Sequence, residues 1–451
     1  MPKQLQLVQQ EPVHKDNKGF RRIIREKIAF SWSLDEKSHI YWIKQIEDYL
    51  LPTLIYNFYS QNKIKDFSAY LDKVDLQEKN FRQISNAIEG YLAMGEAYPL
   101  NINGKILGDA HPGGVTKCFS NKVIKYSKYP DYGELLFSLS ALIFPDHDNF
   151  FPKIIKKGNS FEREYIQTNL KTKKIEDVQE YYFNLGKILP FLLILRAIDI
   201  NAENMIINLP YPVFFDMETI FSGKLDGESD EYGIKNTGIV KIGNNDSSVL
   251  TGGLTEHASL LKPLICGDQY KPYIGWRTQS KGIYENIPVL NEVKAHPIKY
   301  VENLYEGYKK SVRKILEKKN EIIQIVNQSK SITRVIIRPT RMYRLFVLKS
   351  CYPQIYTKQT RESYLKESLE NCGYIHQLKI GNLIENEVLA MLDFQIPVYY
   401  TKIKEKGVFS ASGEVVAKWN ESPYEVWKSY IEVADDEYFS NQWGIIKDSI
   451  G

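Results

Sequence analysis

The stretch RAIDINAENMIINLPYPVFFDMETIF, residues 196–221, limits the possible folds more than any other part of the chain. Two brief apolar runs, NMIIN and PVFFD, are separated by Asn208, Pro210 and Pro212, which suits two short buried strands joined by a tight turn. Asp199, Asn204, Asp216 and Glu218 stand around them. Polar groups set between buried strands need partners or a task, because an unpaired charge in an apolar interior is costly.

In kinases one Asp accepts the proton of the attacking hydroxyl, an Asn five residues later binds metal, and a further Asp binds metal from the end of the next hairpin. Asp199 and Asn204 have that separation, and Asp216 follows the expected hairpin. The spacing casts Asp199 as the base or hydroxyl-positioning group, with Asn204 and Asp216 holding Mg2+. The plainer alternative has Asp199 capping a turn, Asn204 supporting it and Asp216 opening a loop.

Such a site also needs a backbone-rich loop and a Lys for the nucleotide phosphates. GDAHPGGVTKCFSNKVIKYSK offers both. Gly113 and Gly114 let backbone N–H groups approach an anion, and Lys125 ends a VIK strand as the strand-borne Lys of kinases does. Lys122 and Lys128 are alternatives, and HPGG also reads as an ordinary turn. The segment reads as loop, strand, turn and strand, with Asp109 and His111 two apart on one extended face.

Elsewhere the pattern is helical over about 38–60 and 81–97, helical over 176–196 with an interruption near Pro190, and helical again as one long amphipathic stretch through YVENLYEGYKKSVRKILEKKNE. ITRVIIRPT reads as a strand ending at Pro339, and residues 224–298 as loops over a site. Three segments are expected: a mainly helical 1–95, a nucleotide-binding and phosphorylation core over 96–270, and a mixed α/β region over 271–451. The fold class is α+β.

A net charge of +4 over 451 residues argues against a dedicated nucleic-acid surface and leaves an acidic peptide partner possible. The opening residues lack the apolar core of a secretory signal, and ILPFLLIL at 188–195 is too short to span a bilayer, so a cytoplasmic location is expected. Cys118, Cys266, Cys351 and Cys372 are too scattered for a disulfide framework or a zinc site, even with His376 near Cys372.

Several ordered segments together resemble the dehydratase domain of class II lanthipeptide synthetases, the LanM type. They are GDAHPGG with VIKYSK, DINAEN with FFDMET, SVLTGGL, YVENLYEGYKKSV, RVIIRPTRMYRLFVLKS and LDFQIPVYYT, and they extend over roughly residues 100–401. The resemblance implies a two-lobed, lipid-kinase-like core that uses ATP and Mg2+ to phosphorylate Ser or Thr of a leader-bearing precursor peptide. Elimination of phosphate then gives dehydroalanine or dehydrobutyrine. It places Asp109, His111, Lys125, Asp199, Asn204, Asp216 and Glu218 at the phosphorylation and nucleotide site, and Arg334 and Thr340 at the elimination step.

The chemistry is coherent, since water's pKa of about 15.7 makes hydroxide a poor leaving group, whereas a phosphate group loses its second proton near about 6. Arg334 and Arg338 are expected as phosphate clamps and Thr340 as a hydrogen-bonding partner, because a guanidinium stays protonated and cannot serve as the base. Read alone, VIIRPT is a strand running into a turn with solvated arginines.

The chain departs from the family pattern in carrying Asn201 where His usually follows the Asp by two residues. Its region before Asp109 is short, and no zinc cyclase segment follows, so ring closure is expected from a separate cyclase or other tailoring enzyme. A peptide kinase without elimination and a non-catalytic, pseudokinase-like scaffold are the competing expectations.

Overall fold

The structure, a computed structural model, describes residues 17–61, 63–77, 81–96, 105–111, 114–127, 129–145, 149–225, 232–240, 250, 260–279, 286–356 and 360–450. Among the described residues helices and strands form segregated rather than alternating elements, which makes the fold α+β. Among the described residues no helix is long and apolar enough to cross a membrane.

Four helices come first, α1 (Lys18–Ser31), α2 (Glu36–Ser60), α3 (Phe67–Lys73) and α4 (Arg82–Glu96). In α1 the residues Phe20, Ile24 and Ile28 repeat every four positions and are buried, and Asn17 caps the helix by accepting from the N–H groups of Gly19 and Phe20. A meander follows, β1 (Lys105–His111), β2 (Gly114–Cys118) and β3 (Lys122–Tyr126), then α5 (Gly133–Ile143), β4 (Ile154–Lys157) and β5 (Ser160–Glu164). These strands form one antiparallel sheet in the order β1-β2-β3-β5-β4. GDAH is thus strand rather than the expected loop, because β1 keeps its pairing with β2 through a register shift between Leu107 and His111.

After β6 (Lys171–Thr172) comes α6 (Ile175–Ile194), then the hairpin β7 (Met205–Asn208) and β8 (Tyr211–Phe214). Helix α6 continues through Pro190 without the expected interruption. Proline removes only one backbone donor, and the neighbours Leu189, Phe191 and Leu192, all fully buried, hold that turn by packing. A short α7 (Ile234–Thr237), the ribbon β9 (Leu260–Cys266) and β10 (Tyr273–Gln279), and the small strands β11 (Val289–Leu290) and β12 (Val293–Lys294) occupy the region expected to be loops. Most of SVLTGGL lies outside the described residues.

The long helix expected next is two, α8 (Val301–Glu317) and α9 (Lys319–Gln328), which break at Lys318 so that the Ile322 and Val326 of α9 can enter the core along a different line from the Leu304, Tyr308, Val312 and Ile315 of α8. The remainder is β13 (Ile332–Val335), α10 (Thr340–Ser350), α11 (Pro353–Tyr356), α12 (Arg361–Glu370), β14 (Leu378–Ile380), α13 (Leu383–Leu392), β15 (Tyr399–Lys402), β16 (Gly407–Ser410), β17 (Val415–Trp419), α14 (Pro423–Val433) and α15 (Asp436–Ile450). Its five strands make a second antiparallel sheet in the order β13-β15-β16-β17-β14.

Helix α6 is buried on nearly every side and lies against α8 in the largest core, which also takes in side chains of α14 and α15. It crosses α8 where two glycines face the partner's main chain, Gly186 at the Leu304 carbonyl and Gly307 at the Phe183 carbonyl. A second core joins α1–α4 to Val115, Ile265, Ile274 and the apolar faces of α10, α12 and α13.

Candidate active site

Residues 195–204 leave the end of α6 and are stitched at both ends to the segment that follows the hairpin. Ile198 donates its N–H to the Thr219 carbonyl at 3.2 Å and accepts from the Thr219 hydroxyl at 2.5 Å. At the far end the Phe215 N–H donates to the Asn204 carbonyl at 3.1 Å. One crossing at each end, Ile198 with Thr219 and Asn204 with Phe215, fixes the stretch of Asp199 and Asn204 beside that of Asp216, so the structure brings these three expected residues together. Asp199 is exposed and sits at φ 61, a left-handed conformation that Asp tolerates better than most residues and that clusters at functional sites. Asn204 Nδ2 donates to the Asp199 carbonyl at 2.7 Å, and Asn201 Nδ2 to Asp199 Oδ1 at 3.1 Å.

The other wall is the first sheet. In the antiparallel register Val123 faces Arg163 and Lys125 faces Phe161, so Lys125, Phe161 and Arg163 share one face. Arg163 donates to the Phe215 carbonyl, reaches Tyr132 Oη at 3.2 Å and lies 3.7 Å from Asp216 Oδ1. Lys125 Nζ pairs with Glu218 Oε2. The second carboxylate oxygen of Glu218 accepts from Arg334 Nη1 at 2.7 Å, and the Glu218 carbonyl accepts from the Arg334 N–H at 2.7 Å.

Strand β13 therefore has both edges occupied. One edge pairs with β15; on the other, Ile332 exchanges hydrogen bonds of 2.8 Å with Asp131 and Arg334 is held by Glu218.

Charge follows from this packing. Burial pushes the Glu218 carboxyl up, but Lys125 and Arg334 outweigh it and hold the group well below the usual carboxylate range. Asp216 goes the other way, because burial and the neighbouring Glu218 charge raise it against Lys125, Arg163 and Arg334. A partly open carboxylate whose charge is disfavoured beside an amide oxygen suits a hard divalent cation, and two protein oxygens completed by phosphates and water are a usual Mg2+ arrangement. Among the described residues no group of three His, Cys, Asp or Glu could hold a metal on its own.

Not every expected residue joins the cluster. Arg338, expected as a phosphate clamp, is buried and committed elsewhere: its guanidinium donates to Glu387 at 3.0 Å and to the carbonyls of Cys372 and Gly373 at 2.7 and 2.9 Å. Glu387 also accepts from Tyr343 Oη at 2.6 Å, which completes the network and leaves Arg338 no role at a phosphate. Thr340 is the first residue of α10, whose N-cap Pro339 supplies no side-chain hydrogen bond. Asp109 and His111 lie on β1 and Gly114 opens β2, but their side-chain placement and the whole of Gly113 fall outside the described residues. Arg163 and Tyr132 went unnoticed in the sequence; the period-two pattern of SFERE puts Arg163 with Phe161, the one signal available.

Residues 134–402 match the family described as Domain of unknown function (DUF4135). The chain belongs to this family. A curated relative, the Lacticin 481/lactococcin biosynthesis protein LcnDR2 of Lactococcus lactis subsp. lactis, is 23% identical over 366 residues, covering 72% of this chain and 38% of that protein. The chain thus spans less than two fifths of that relative's length. The two matches together identify a LanM-type lanthipeptide synthetase-like protein. Asp199, Asn204, Asp216, Glu218, Arg334 and Thr340 lie inside the family match, whereas Asp109, His111 and Lys125 precede it.

Proposed function

We propose that this protein dehydrates Ser and Thr residues of a ribosomally made precursor peptide, by phosphorylation with ATP followed by elimination of phosphate. The observation that supports this reading best is the double stitching of residues 198–204 to 215–219, because it holds the stretch bearing Asp199 and Asn204 beside the stretch bearing Asp216 and Glu218, and Glu218 pairs with the strand-borne Lys125. In the first stage Asp199 accepts the proton of the peptide hydroxyl and Lys125 holds a nucleotide phosphate. Asn204 and Asp216 would hold Mg2+, which neutralises phosphate charge.

In the second stage a general base takes the Cα proton, the C–H electron pair forms the C=C bond, the Cβ–O bond breaks and phosphate departs with its electron pair. Arg334 faces the departing phosphate with the donors that Glu218 leaves unused, and Thr340 adds a hydroxyl at the start of α10. The two-lobed, lipid-kinase-like description of the core belongs to the same proposal.

A peptide kinase that stops at the phosphopeptide is the second reading, favoured by one observation: Asn201 beside Asp199 cannot carry a proton. Mass spectrometry of a lanthipeptide-type precursor co-expressed with the protein separates the readings. Loss of water supports the dehydratase, gain of phosphate the kinase alone, and an unchanged peptide with no MgATP binding refutes both.

A further inference from the structure

We propose that Glu218 is a positioning residue that seats Lys125 and Arg334 on one carboxylate, so that Arg334 acts on nucleotide binding through Lys125 as well as on phosphate departure. This rests on the phosphoryl-transfer reading above. The three groups come from separate parts of the fold: Lys125 from β3, Glu218 from the segment after the hairpin and Arg334 from β13.

Their exposure is ordered. The Glu218 side chain is 1% exposed, while those of Lys125 and Arg334 are each 17% exposed, so the carboxylate is walled in and the two cations keep some contact with solvent. An ammonium has three donors and a guanidinium five; the described hydrogen bonds of each side chain use one of them, on Glu218. The donors not spent on Glu218 suit phosphate oxygens, those of Lys125 the nucleotide's and those of Arg334 the departing group's.

One carboxylate oxygen serves each cation, which makes the two contacts interdependent. With Arg334 on Oε1 and the Arg334 N–H on the Glu218 carbonyl, the carboxylate cannot turn, and Oε2 alone is presented to Lys125. Without the guanidinium the carboxylate is free to rotate and take Lys125 with both oxygens, drawing the ammonium inward from a bound phosphate. An arginine that served only elimination would leave nucleotide affinity untouched.

The test measures MgATP affinity by titration calorimetry on the full chain, with melting temperature as the folding control. For Arg334→Ala the Kd rises about tenfold, equivalent to about 1.4 kcal/mol, and Arg334→Lys recovers most of the loss because it restores a cation. Glu218→Asp, one methylene too short to reach both partners, gives a similar rise and is read independently if Arg334→Ala does not fold. In a Lys125→Ala background, Arg334→Ala adds less than about twofold, since the route through Lys125 is already gone. Wild-type affinity in folded Arg334→Ala or Glu218→Asp, or full additivity with Lys125→Ala, overturns the inference and leaves the phosphoryl-transfer reading standing. A wild type that does not bind MgATP removes both.

Discussion

Gly186→Ala probes the contact that carries the active-site loop. A Cβ at Gly186 would lie 1.9 Å from the Leu304 carbonyl oxygen and 3.0 Å from the Tyr308 amide nitrogen, and one at Gly307 would lie 1.9 Å from the Phe183 carbonyl oxygen. The obstacle in each case is main chain of the facing helix, which has no rotamer to adopt, so α6 and α8 must separate by about 1 Å or more to reach an ordinary contact. Overpacking of this kind costs about 1–3 kcal/mol, and a backbone obstacle places it at the upper end, near 3. Alanine's better helix propensity returns about 1 kcal/mol.

The net loss is about 2 kcal/mol, which for a chain of this size, at about 2.1 cal/mol/K of unfolding entropy per residue, lowers the calorimetric melting temperature by about 2 °C. Gly186→Ala with Gly307→Ala should cost less than the sum, because one separation of the helices accommodates both methyl groups. Since α6 runs directly into residues 195–204, dehydration of a precursor should fall at temperatures where the variant is still folded. A Gly186→Ala protein that melts at or above the wild type would refute the reasoning, because propensity would then be acting alone.

Asp199→Asn should abolish phosphorylation of a precursor while leaving MgATP affinity within about threefold, about 0.7 kcal/mol; dehydrated peptide in the mass spectrum of this variant would contradict the role given to Asp199. Arg338→Met strands Glu387 with Tyr343 alone and should destabilise by about 3–5 kcal/mol, read as a lower melting temperature, and Arg338→Met with Glu387→Met should recover part of it. Lost elimination with unchanged melting would instead restore Arg338 as a phosphate clamp. His376 is buried edge-on to Trp419, and burial, helped by the Arg196 charge and opposed by the carbonyls of Gly223 and Lys224, lowers it to about 3. The folded protein keeps this ring neutral, so its contribution is complete above an unfolded value of about 6.5 and is lost as pH falls toward 3, by at most about 1.4 kcal/mol per pH unit. Urea denaturation of His376→Leu between pH 6.5 and 4.5 should show a shallower pH dependence than the wild type; an equal slope would mean the ring is not neutral in the fold.

The hairpin was readable because Asn208, Pro210 and Pro212 punctuate two apolar runs, and the Asp199–Asn204–Asp216 spacing was readable because one local segment holds all three. Long-range pairing left no such trace. Arg334, which the resemblance placed at elimination, and Arg338, added as a second clamp, stand four residues apart, and what separates them in the fold is a carboxylate supplied from elsewhere: Glu218, 116 residues away and beside the site, or Glu387, 49 residues away in the core. The helix through Pro190 misled for a related reason, since tertiary packing against α8 overrode a local breaker. The pattern through YVENLYEGYKKSVRKILEKKNE showed an apolar stripe but not the change in its direction at Lys318.

The core shared by α1–α4 with α10, α12 and α13 makes the first and last thirds of the polypeptide mutual lids. Trimming the leading helices to obtain a minimal catalyst would uncover Val347, Leu365, Leu369 and Met391 to solvent and invite aggregation. Chimaeras between relatives should therefore exchange these two portions as a matched set, leaving the intervening stretch in place.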